Sequence, residues 1–246
     1  MTDFPAGTEA VLSGPVRTAW ATVRDLLPPG AYLAGGTAIA LRLQHRTSED
    51  LDFFTSAPLD VEELYASLVE SIATFETVRI APKGGNLAVI IGSTKVEFSD
   101  ASSNPLTAPT ERNAGVEVAG LGDLLAMKLS AITKRKQLRD YDDLRAIEQM
   151  AGRRVEEGLA LAARRYRLRD SASFVTFETA LGRVRECGPD PLVVTPRQEL
   201  NSYWVRRAAE VVAGSSRWDV PVLDDAQAEA LFGPLPEGRD GTSGEV

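Results

Sequence analysis

Two aspartates separated by a single residue could hold a metal ion. Asp50 and Asp52 lie in the stretch EDLDFF, whose alternation of polar and apolar residues is typical of a β-strand. Because successive side chains point to opposite faces of a strand, both carboxylates share one face, while Leu51 and Phe53 can pack against a core. Like charges held this close repel each other unless a cation lies between them. Mg²⁺ is held by one or two carboxylates together with substrate phosphates, so the spacing favours a magnesium site.

A third carboxylate follows the same pattern in the segment TKVEFSD. Val96 and Phe98 form its apolar face, and Glu97 points the other way. If this strand lies beside the one that carries Asp50 and Asp52, Glu97 completes a cluster of three acids. Such clusters support two-metal phosphoryl transfer, in which metal ions activate the attacking oxygen and stabilise the leaving one. We predict that these three acids bind Mg²⁺, with Mn²⁺ as the alternative ion.

A glycine-rich turn precedes the aspartates. Gly35, Gly36 and Thr37 lie where a short predicted strand gives way to a helix. Glycines at such a junction let backbone N–H groups approach phosphate oxygens at the positive end of the helix. Thr37 can cap this helix and offer its hydroxyl to a nucleotide. A strand, a Gly-Gly turn, a helix and a second strand with paired aspartates together predict a phosphate-binding site that faces the metal.

Two polar residues between this helix and the aspartates could assist. Arg46 can reach a phosphate or pair with Asp50, and the sequence favours neither. Ser48 can cap the turn or donate a hydrogen bond to a phosphate. A phosphoryl group on Ser48 or on the neighbouring Thr47 would add negative charge beside the carboxylates and weaken nucleotide binding. Either a capping role for Ser48 or reversible control at this turn is therefore open.

A lysine interrupts the apolar face of a helix farther along the chain. Lys128 recurs at helical spacing with Leu124, Leu125 and Ile132, so it lies within the apolar face rather than opposite it. Its aliphatic stem can snorkel along a domain edge. Alternatively, its ammonium binds a triphosphate and neutralises charge there.

Further charged residues continue this column toward the C-terminus. Arg135 and Arg139 are spaced to lie near Lys128, where either could offset phosphate charge. Asp140 and Asp143 follow within the next turns. In this interpretation the two aspartates orient the cations rather than bind metal.

These residues must be positioned by a mixed α/β region. Periodicity and Gly/Pro breaks predict helices over 11–27, 37–44 and 59–72, and strands over 31–34, 51–54, 75–80, 87–91 and 94–98, with a hairpin turn at 83–86. From residue 121 the pattern becomes helical, with helices predicted over 122–136, 140–150, 155–167, 174–184 and 196–212. The fold class is therefore α+β. A domain with a mixed sheet spans 1–120, a helical domain spans 121–231, and a polar Gly/Pro-rich tail over 232–246 is expected to be disordered.

Composition excludes some kinds of site. Cys187 is the only cysteine and His45 the only histidine of the 246 residues, which excludes a disulfide framework and a multi-histidine metal site. No apolar run reaches the length of a membrane span and no signal peptide is evident, so we expect a soluble cytoplasmic protein without a membrane partner. The net charge of −8 argues weakly against nucleic-acid binding. Basic residues nevertheless outnumber acidic ones over 121–169, either as a solvated helix surface or as a face that attracts a polyanion.

Two segments resemble those of a known family. GGTAIALRLQHRTSEDLDFF resembles the first motif of the AbiEii/AbiGii toxin family, a minimal nucleotidyltransferase branch of the DNA polymerase β superfamily. LGDLLAMKLSAITKRKQLRDYDDL, which begins at Leu121, resembles the helical motif of that family in order and spacing. The usual Gly-Ser of the superfamily is Gly-Gly-Thr here, and Glu97 stands where aspartate is more usual.

The resemblance implies a polymerase-β-like nucleotidyltransferase core over 1–120, followed by the C-terminal helical domain. It further implies transfer of nucleotides from an NTP to an RNA acceptor, with the tRNA 3′ end as an acceptor of related toxins, and a cognate antitoxin protein as partner. A small-molecule nucleotidyltransferase of the antibiotic-modifying type is one alternative. A non-catalytic module that binds an NTP or a partner is another. Three retained carboxylates argue against the latter, because idle like charges are costly to keep together.

Overall fold

One mixed sheet lies at the centre of the fold. In the computed structural model of the protein, the described residues are 7–71, 85–168 and 171–214, and six strands run through them in the order β3-β4-β2-β1-β6-β5. Their bounds are β1 Ala31–Ala34, β2 Leu51–Thr55, β3 Asn86–Ile91, β4 Thr94–Asp100, β5 Glu111–Asn113 and β6 Val116–Val118. β2 pairs antiparallel with β1 and parallel with β4, and β1 pairs parallel with β6. The predicted mixed sheet and α+β class are therefore confirmed.

Helices flank the sheet and make up the C-terminal half of the described chain. They are α1 Thr8–Val11, α2 Gly14–Val23, α3 Gly35–Leu43, α4 Val61–Ser71, α5 Leu121–Lys134, α6 Leu138–Ala151, α7 Val155–Arg165, α8 Ser171–Leu181 and α9 Arg197–Gly214, with a 3-10 turn at Gly182–Glu186. α5 contacts α6, α7 and α8, and both α5 and α6 contact α3. The helix that follows the glycine turn is thus packed directly against the helices that carry the lysine and the later aspartates.

The alternation of residues along β2 explains its central place. Leu51 and Phe53 are buried, whereas Asp52 and Phe54 on the opposite face are partly exposed. The Phe53 ring stacks on Phe98 of β4, with ring centroids 5.5 Å apart. Since a slip of one residue would turn these apolar side chains out of the core, their burial fixes the register that leaves Asp52 on the open face.

The apolar core is continuous from the sheet to the C-terminal helices. A single cluster of buried side chains includes Trp20 of α2, Phe98 of β4, Leu125 of α5 and Trp204 of α9. The last strand ends at Val118 and α5 begins three residues later, near the predicted boundary. The division into two domains at residue 120 stays a prediction. Among the described residues, no helix combines the length and apolar character that a membrane crossing needs.

Sequence periodicity was wrong or silent in two places. The helix predicted over 11–27 is shorter in the structure, where α2 spans Gly14–Val23 and Val11 is the last residue of a separate helix, α1. Pro15 lies in the first turn of α2, and a proline can start a helix but cannot continue one. β5 and β6 were not predicted, since three residues are too few to display alternation. The strand predicted over 75–80, most of the hairpin turn at 83–86, and the tail over 232–246 lie outside the described residues.

Candidate active site

The predicted carboxylates meet on the open face of the sheet. Asp52 of β2 lies directly opposite Glu97 of β4 in the parallel register, which confirms that the two strands are neighbours. Asp50 immediately precedes β2. All three residues line a polar cavity of about 110 Å³. The structure therefore brings the three predicted acids to one cavity.

Glu97 has a partner that sequence reasoning missed. Lys95 Nζ donates a hydrogen bond to Glu97 Oε2 at 2.7 Å, and both residues line the polar cavity. The two lie two residues apart on β4 and so share a face of the strand. That spacing was the signal that could have assigned Lys95 to the site.

The Asp52 carboxylate lies in an environment that disfavours its charge. Burial, together with the negative charges of Glu97 and Asp50, raises the pKa of Asp52 to about 6, against the opposing effect of Lys128. Near neutral pH this carboxylate is ionised but destabilised. An added cation would relieve that cost.

Carboxylate oxygens are ligands that both Mg²⁺ and Mn²⁺ accept, so the donors fit such an ion in kind. As placed, however, no group of three or more His, Cys, Asp or Glu side chains in the described parts of the chain is arranged to hold a metal ion. Glu97 is engaged by Lys95, which leaves Asp50 and Asp52 as the two available carboxylates. Metal binding by all three acids stays a prediction.

Gly35 begins α3 against the Asp52 carboxylate. Its φ is +67°, and a Cβ built there would overlap Asp52 Oδ2. A Cβ on Gly36 would overlap the guanidinium of Arg46. At both positions the absence of a Cβ leaves room for a side chain of the site, Asp52 beside Gly35 and Arg46 beside Gly36. The same absence would let a phosphate approach the backbone.

We expect Gly35→Ala to disable the site more than it unfolds the protein. The left-handed backbone costs about 1 kcal/mol for alanine, and the new methyl group must displace the Asp52 carboxylate. Gly152→Ala is the matched control, because Gly152 has the same φ of +67° and nothing within 4 Å of its added Cβ. Urea unfolding should show a larger loss of stability for Gly35→Ala than for Gly152→Ala, and nucleotide transfer should fall only in the former. Equal transfer by both variants would contradict this role of Gly35.

Thr37 and Ser48 join α3 to the turn before Asp50. The Thr37 hydroxyl donates to the Asp50 carbonyl oxygen and lies 2.7 Å from Ser48 Oγ. Thr37 is 1 % and Ser48 5 % exposed, and the Ser48 N–H donates to the Val11 carbonyl at 2.8 Å. The predicted capping by Thr37 is wrong, since Ala34 occupies the N-cap of α3. Contact of either hydroxyl with a nucleotide stays a prediction.

Arg46 pairs with Asp143 of α6, so of the two roles left open by the sequence the pairing with Asp50 is wrong. Arg46 Nε and Nη2 donate to the two Asp143 oxygens at 2.7 and 2.9 Å, and Nη1 donates to the Thr47 carbonyl at 2.8 Å. His45 Nε2 lies 2.7 Å from the same carboxylate. Arg46 also lines the polar cavity, so its contact with a phosphate stays a prediction.

Lys128 does not snorkel into solvent. It is 5 % exposed, and its Nζ lies 2.7 Å from Asp140 Oδ1 and 2.8 Å from Asp143 Oδ2. Burial alone would lower the pKa of Lys128, but the two carboxylates raise it above its usual value. Burial would likewise raise the pKa of Asp143, yet Lys128, a hydrogen bond from His45 and the charge of Arg46 hold it well below the usual range. A charged lysine is therefore fixed in the wall of the cavity.

The charged column predicted for one helix face is interrupted. α5 ends at Lys134, and Arg135 has an extended backbone before α6 begins as a new helix. Arg135 reaches forward to α6, where its Nε and Nη2 donate to Asp140 at 2.8 and 3.1 Å. Arg139 donates to Gln137 Oε1 at 3.2 Å and lines the polar cavity. The structure thus brings the predicted cations together through contacts between two helices.

We expect Lys128→Met to abolish most transfer and to destabilise the fold by about 2 kcal/mol. This loss of stability is smaller than that for removing the partner of an isolated buried ion. Without Lys128, Asp140 still pairs with Arg135 and Asp143 still pairs with Arg46. Lys136→Met is the control, since it removes the same charge from a half-exposed pair with Glu186. Steady-state kinetics should show a raised KM for NTP and a reduced kcat in the first variant only. Wild-type kinetics for Lys128→Met would mean that the ammonium serves the fold alone.

Two cavities meet at this charged cluster. The polar cavity contains a second set of predicted residues beside the carboxylates, namely Gly36, Arg46, Ser48, Lys128, Arg135 and Arg139. The other cavity measures about 310 Å³ and has an apolar side formed by Phe54, Leu124, Met127 and Tyr166. The two cavities share a wall made of Asp52, Glu97, Lys128 and Arg135.

Comparison of the sequence with known proteins identifies the family of this chain. The family model described as nucleotidyl transferase AbiEii toxin, type IV toxin–antitoxin system, matches residues 19–221. An uncharacterized protein of Aquifex aeolicus, aq_aa25, is 32 % identical over 161 residues, which is 63 % of this chain and 77 % of that protein. The family-model match covers both the sheet and the helices of the C-terminal half.

Two solved structures from Helicobacter pylori share the fold. JHP933 aligns with a TM-score of 0.51 at 17 % identity and covers 87 % of this chain and 96 % of that one. A second protein, described there as a proposed nucleotidyltransferase, aligns with a TM-score of 0.53 at 17 % identity, covering 82 % and 95 %. At this identity the likeness concerns the fold alone.

Proposed function

The chain belongs to the AbiEii family of nucleotidyltransferase toxins of type IV toxin–antitoxin systems, and from that premise we propose that it transfers nucleotides from an NTP to the 3′ end of an RNA, with tRNA as the acceptor. The acceptor hydroxyl attacks the α-phosphorus of the NTP. The bond between the α- and β-phosphates breaks, and pyrophosphate leaves with its electron pair.

The arrangement of acids and fixed cations supports this proposal. Asp52 and Glu97 face each other across two paired strands, and Lys128 lies in the cavity wall between two aspartates of α6. Carboxylates beside cations are what a phosphoryl group needs, because one set holds the metal and the other offsets the charge of the leaving pyrophosphate. A triphosphate in the polar cavity would meet Arg46 and Arg135 along with Lys128.

In the proposed site Asp50 and Asp52 would hold Mg²⁺ together with the nucleotide phosphates, and Glu97 would be a further ligand if its contact with Lys95 opened. The bound ion would supply activation of the acceptor oxygen and neutralisation of the triphosphate. Lys128 and Arg135 orient the triphosphate. Lys128 is held for this by Asp140 and Asp143, and Arg135 is held by Asp140. Gly35 and Gly36 allow the start of α3 to come close to it.

An RNA acceptor is supported by cations at the rim of the site. Lys134 is exposed and Arg135 has a half-exposed side chain, and both line the larger cavity. Elsewhere in the basic stretch, Arg165 is buried, and Arg153 and Arg154 form ion pairs with glutamates of α7. Of these three, Arg165 cannot contact RNA because it is buried, whereas Arg154 is exposed and Arg153 is partly exposed.

The remaining parts of the proposal concern the cell. We place the protein in the cytoplasm, where NTPs, RNA and a cognate antitoxin protein are available to it. Control by phosphorylation at Ser48 would require the buried contact with Thr37 to open first. Thr47 is exposed and is the more accessible of the two hydroxyls.

The proposal is tested by incubating the protein with each α-labelled NTP, Mg²⁺ and total RNA, and by resolving the labelled products on a denaturing gel. A labelled RNA of tRNA size, dependent on Mg²⁺ and lost on treatment with a 3′ exonuclease, is the expected result. Transfer of the label to a small molecule other than the NTP would favour the antibiotic-modifying alternative. Absence of label with every NTP and with Mn²⁺ in place of Mg²⁺ would overturn transfer.

A further inference from the structure

The larger cavity has a composition that phosphate binding does not require. It measures about 310 Å³, at the lower end of the range for small-molecule sites. One side is the charged wall that it shares with the polar cavity. The remaining lining is largely apolar and includes two aromatic residues, Phe54 of β2 and Tyr166, which directly follows α7. This lining suits a ligand that combines a phosphate group with a flat apolar surface.

Buried neighbours fix both aromatic side chains. Phe54 stacks on Tyr32 of β1, with ring centroids 6.0 Å apart. The Tyr32 hydroxyl accepts a hydrogen bond from Arg165 Nη2 at 3.0 Å, and the Arg165 guanidinium lies 5.9 Å from the centre of the Tyr166 ring. A chain of four side chains thus connects the two aromatic walls.

Arg165 is anchored in turn by the rest of the fold. It is 2 % exposed, its Nη1 donates to the Pro105 carbonyl at 2.9 Å, and it lies 3.7 Å from the fully buried Asp123. Because these contacts are buried, the rings need little reordering when a ligand arrives. Side chains that are ordered before binding lose little conformational entropy when the ligand arrives, and this raises the affinity of the site for a planar group.

We propose that this cavity binds a nucleobase, with Phe54 and Tyr166 as the residues that contact the ring. The assignment rests on the proposed function, in which an NTP and an RNA end both reach Asp52. Phe54 lies two residues beyond Asp52 on the same face of β2, so a nucleoside whose phosphate or 3′-hydroxyl is at Asp52 can extend along the strand to reach it. The base belongs either to the incoming NTP or to the last nucleotide of the acceptor.

The test compares Phe54→Leu with wild type. Leucine keeps an apolar side chain but removes the ring, and Phe174→Leu on α8, which lines neither cavity, is the matched control. Calorimetry with Ca²⁺ would measure the affinity for each of the four NTPs and for tripolyphosphate, which has the charge but no base. Steady-state transfer would measure the KM for total RNA at saturating NTP. Thermal unfolding checks that each variant is folded.

Two results support the proposal and identify the source of the base. If Phe54→Leu weakens an NTP about tenfold, as expected for one lost base–aromatic contact, while tripolyphosphate binds as before, the cavity holds the base of the NTP. If NTP affinity is unchanged and the KM for RNA rises about tenfold, it holds the base of the acceptor. Unchanged values for both in Phe54→Leu and in Tyr166→Leu would overturn the proposal. Failure of the proposed function is a different result, because then wild type itself transfers no label.

Discussion

Replacing Asp52 by asparagine should reduce nucleotide transfer by about 10³-fold or more. The substitution removes a negative charge and a metal ligand but keeps the size of the side chain. Initial rates with labelled NTP, Mg²⁺ and total RNA measure the loss. Asp25→Asn is the control, since Asp25 is exposed beside Arg24 and lines neither cavity. This variant should keep the wild-type rate.

The same substitution should stabilise the protein at neutral pH. In the folded state the pKa of Asp52 is raised to about 6, so this group favours folding most below about pH 4 and loses that contribution as the pH rises through about 6. Asparagine does not titrate. The variant should therefore exceed wild type by up to about 3 kcal/mol at pH 7, and the difference should shrink toward pH 4. Urea unfolding at both pH values measures this difference in stability. If the stability of the variant depends on pH as strongly as that of wild type, Asp52 does not have a raised pKa in the folded protein.

Replacing Asp143 should have the largest effect on stability. This carboxylate is fully buried and contacts Arg46, Lys128 and His45. Asp143→Leu leaves Arg46 without a carboxylate partner in a buried place, and removal of one member of a buried ion pair costs about 3 to 5 kcal/mol. That is a large part of the stability of an ordinary domain. Unfolding followed by circular dichroism should show the loss.

Two further variants separate charge from packing. Asp142→Asn is the control on the same helix, since Asp142 is buried but accepts a hydrogen bond from the neutral Thr195 hydroxyl. Asp142→Asn should reduce the stability of the fold much less than Asp143→Leu does. The double variant Asp143→Leu with Arg46→Met removes both charges and should recover part of the loss. If the double variant is as unstable as the sum of its parts, the effect is one of packing rather than of charge.

The wild-type carboxylate also predicts an acid dependence. Since its folded pKa is well below the usual range, Asp143 stabilises the fold above about pH 4, and this contribution is lost as the pH falls further. The gap between wild type and Asp143→Leu should therefore be widest at neutral pH and narrow under acid conditions.

Local pattern was enough to predict the carboxylates. Alternation along β2 and β4 placed Asp52 and Glu97 on one face, because burial of Phe53 and Phe98 on the other leaves no second register. The helices of the C-terminal half were likewise predictable from their periodicity. Strands of three residues, such as β5 and β6, carry too few side chains for such a signal.

The partners of the charged residues could not be predicted in the same way. Arg46 had a nearby candidate in Asp50, yet it binds Asp143, since α3 packs against α6 and brings that carboxylate to it. The pairing depends on how two helices cross, and no local repeat encodes that. Lys128 was expected to face a triphosphate or solvent, whereas its first contacts are the two aspartates expected to orient it.

The pairing of Arg46 with Asp143 also has a consequence for the order of events on the ribosome. These residues are 97 positions apart, so at about 5 to 20 residues per second the second emerges on the order of 5 to 20 s after the first. For most of that interval the nascent chain has its aspartates and its glycine turn but not yet Lys128, and Asp143 is the last of these residues to be made. The buried charge cluster around Asp143 therefore cannot form until more than half of the chain has been made. We expect activity to begin only after the C-terminal helices have packed behind the sheet.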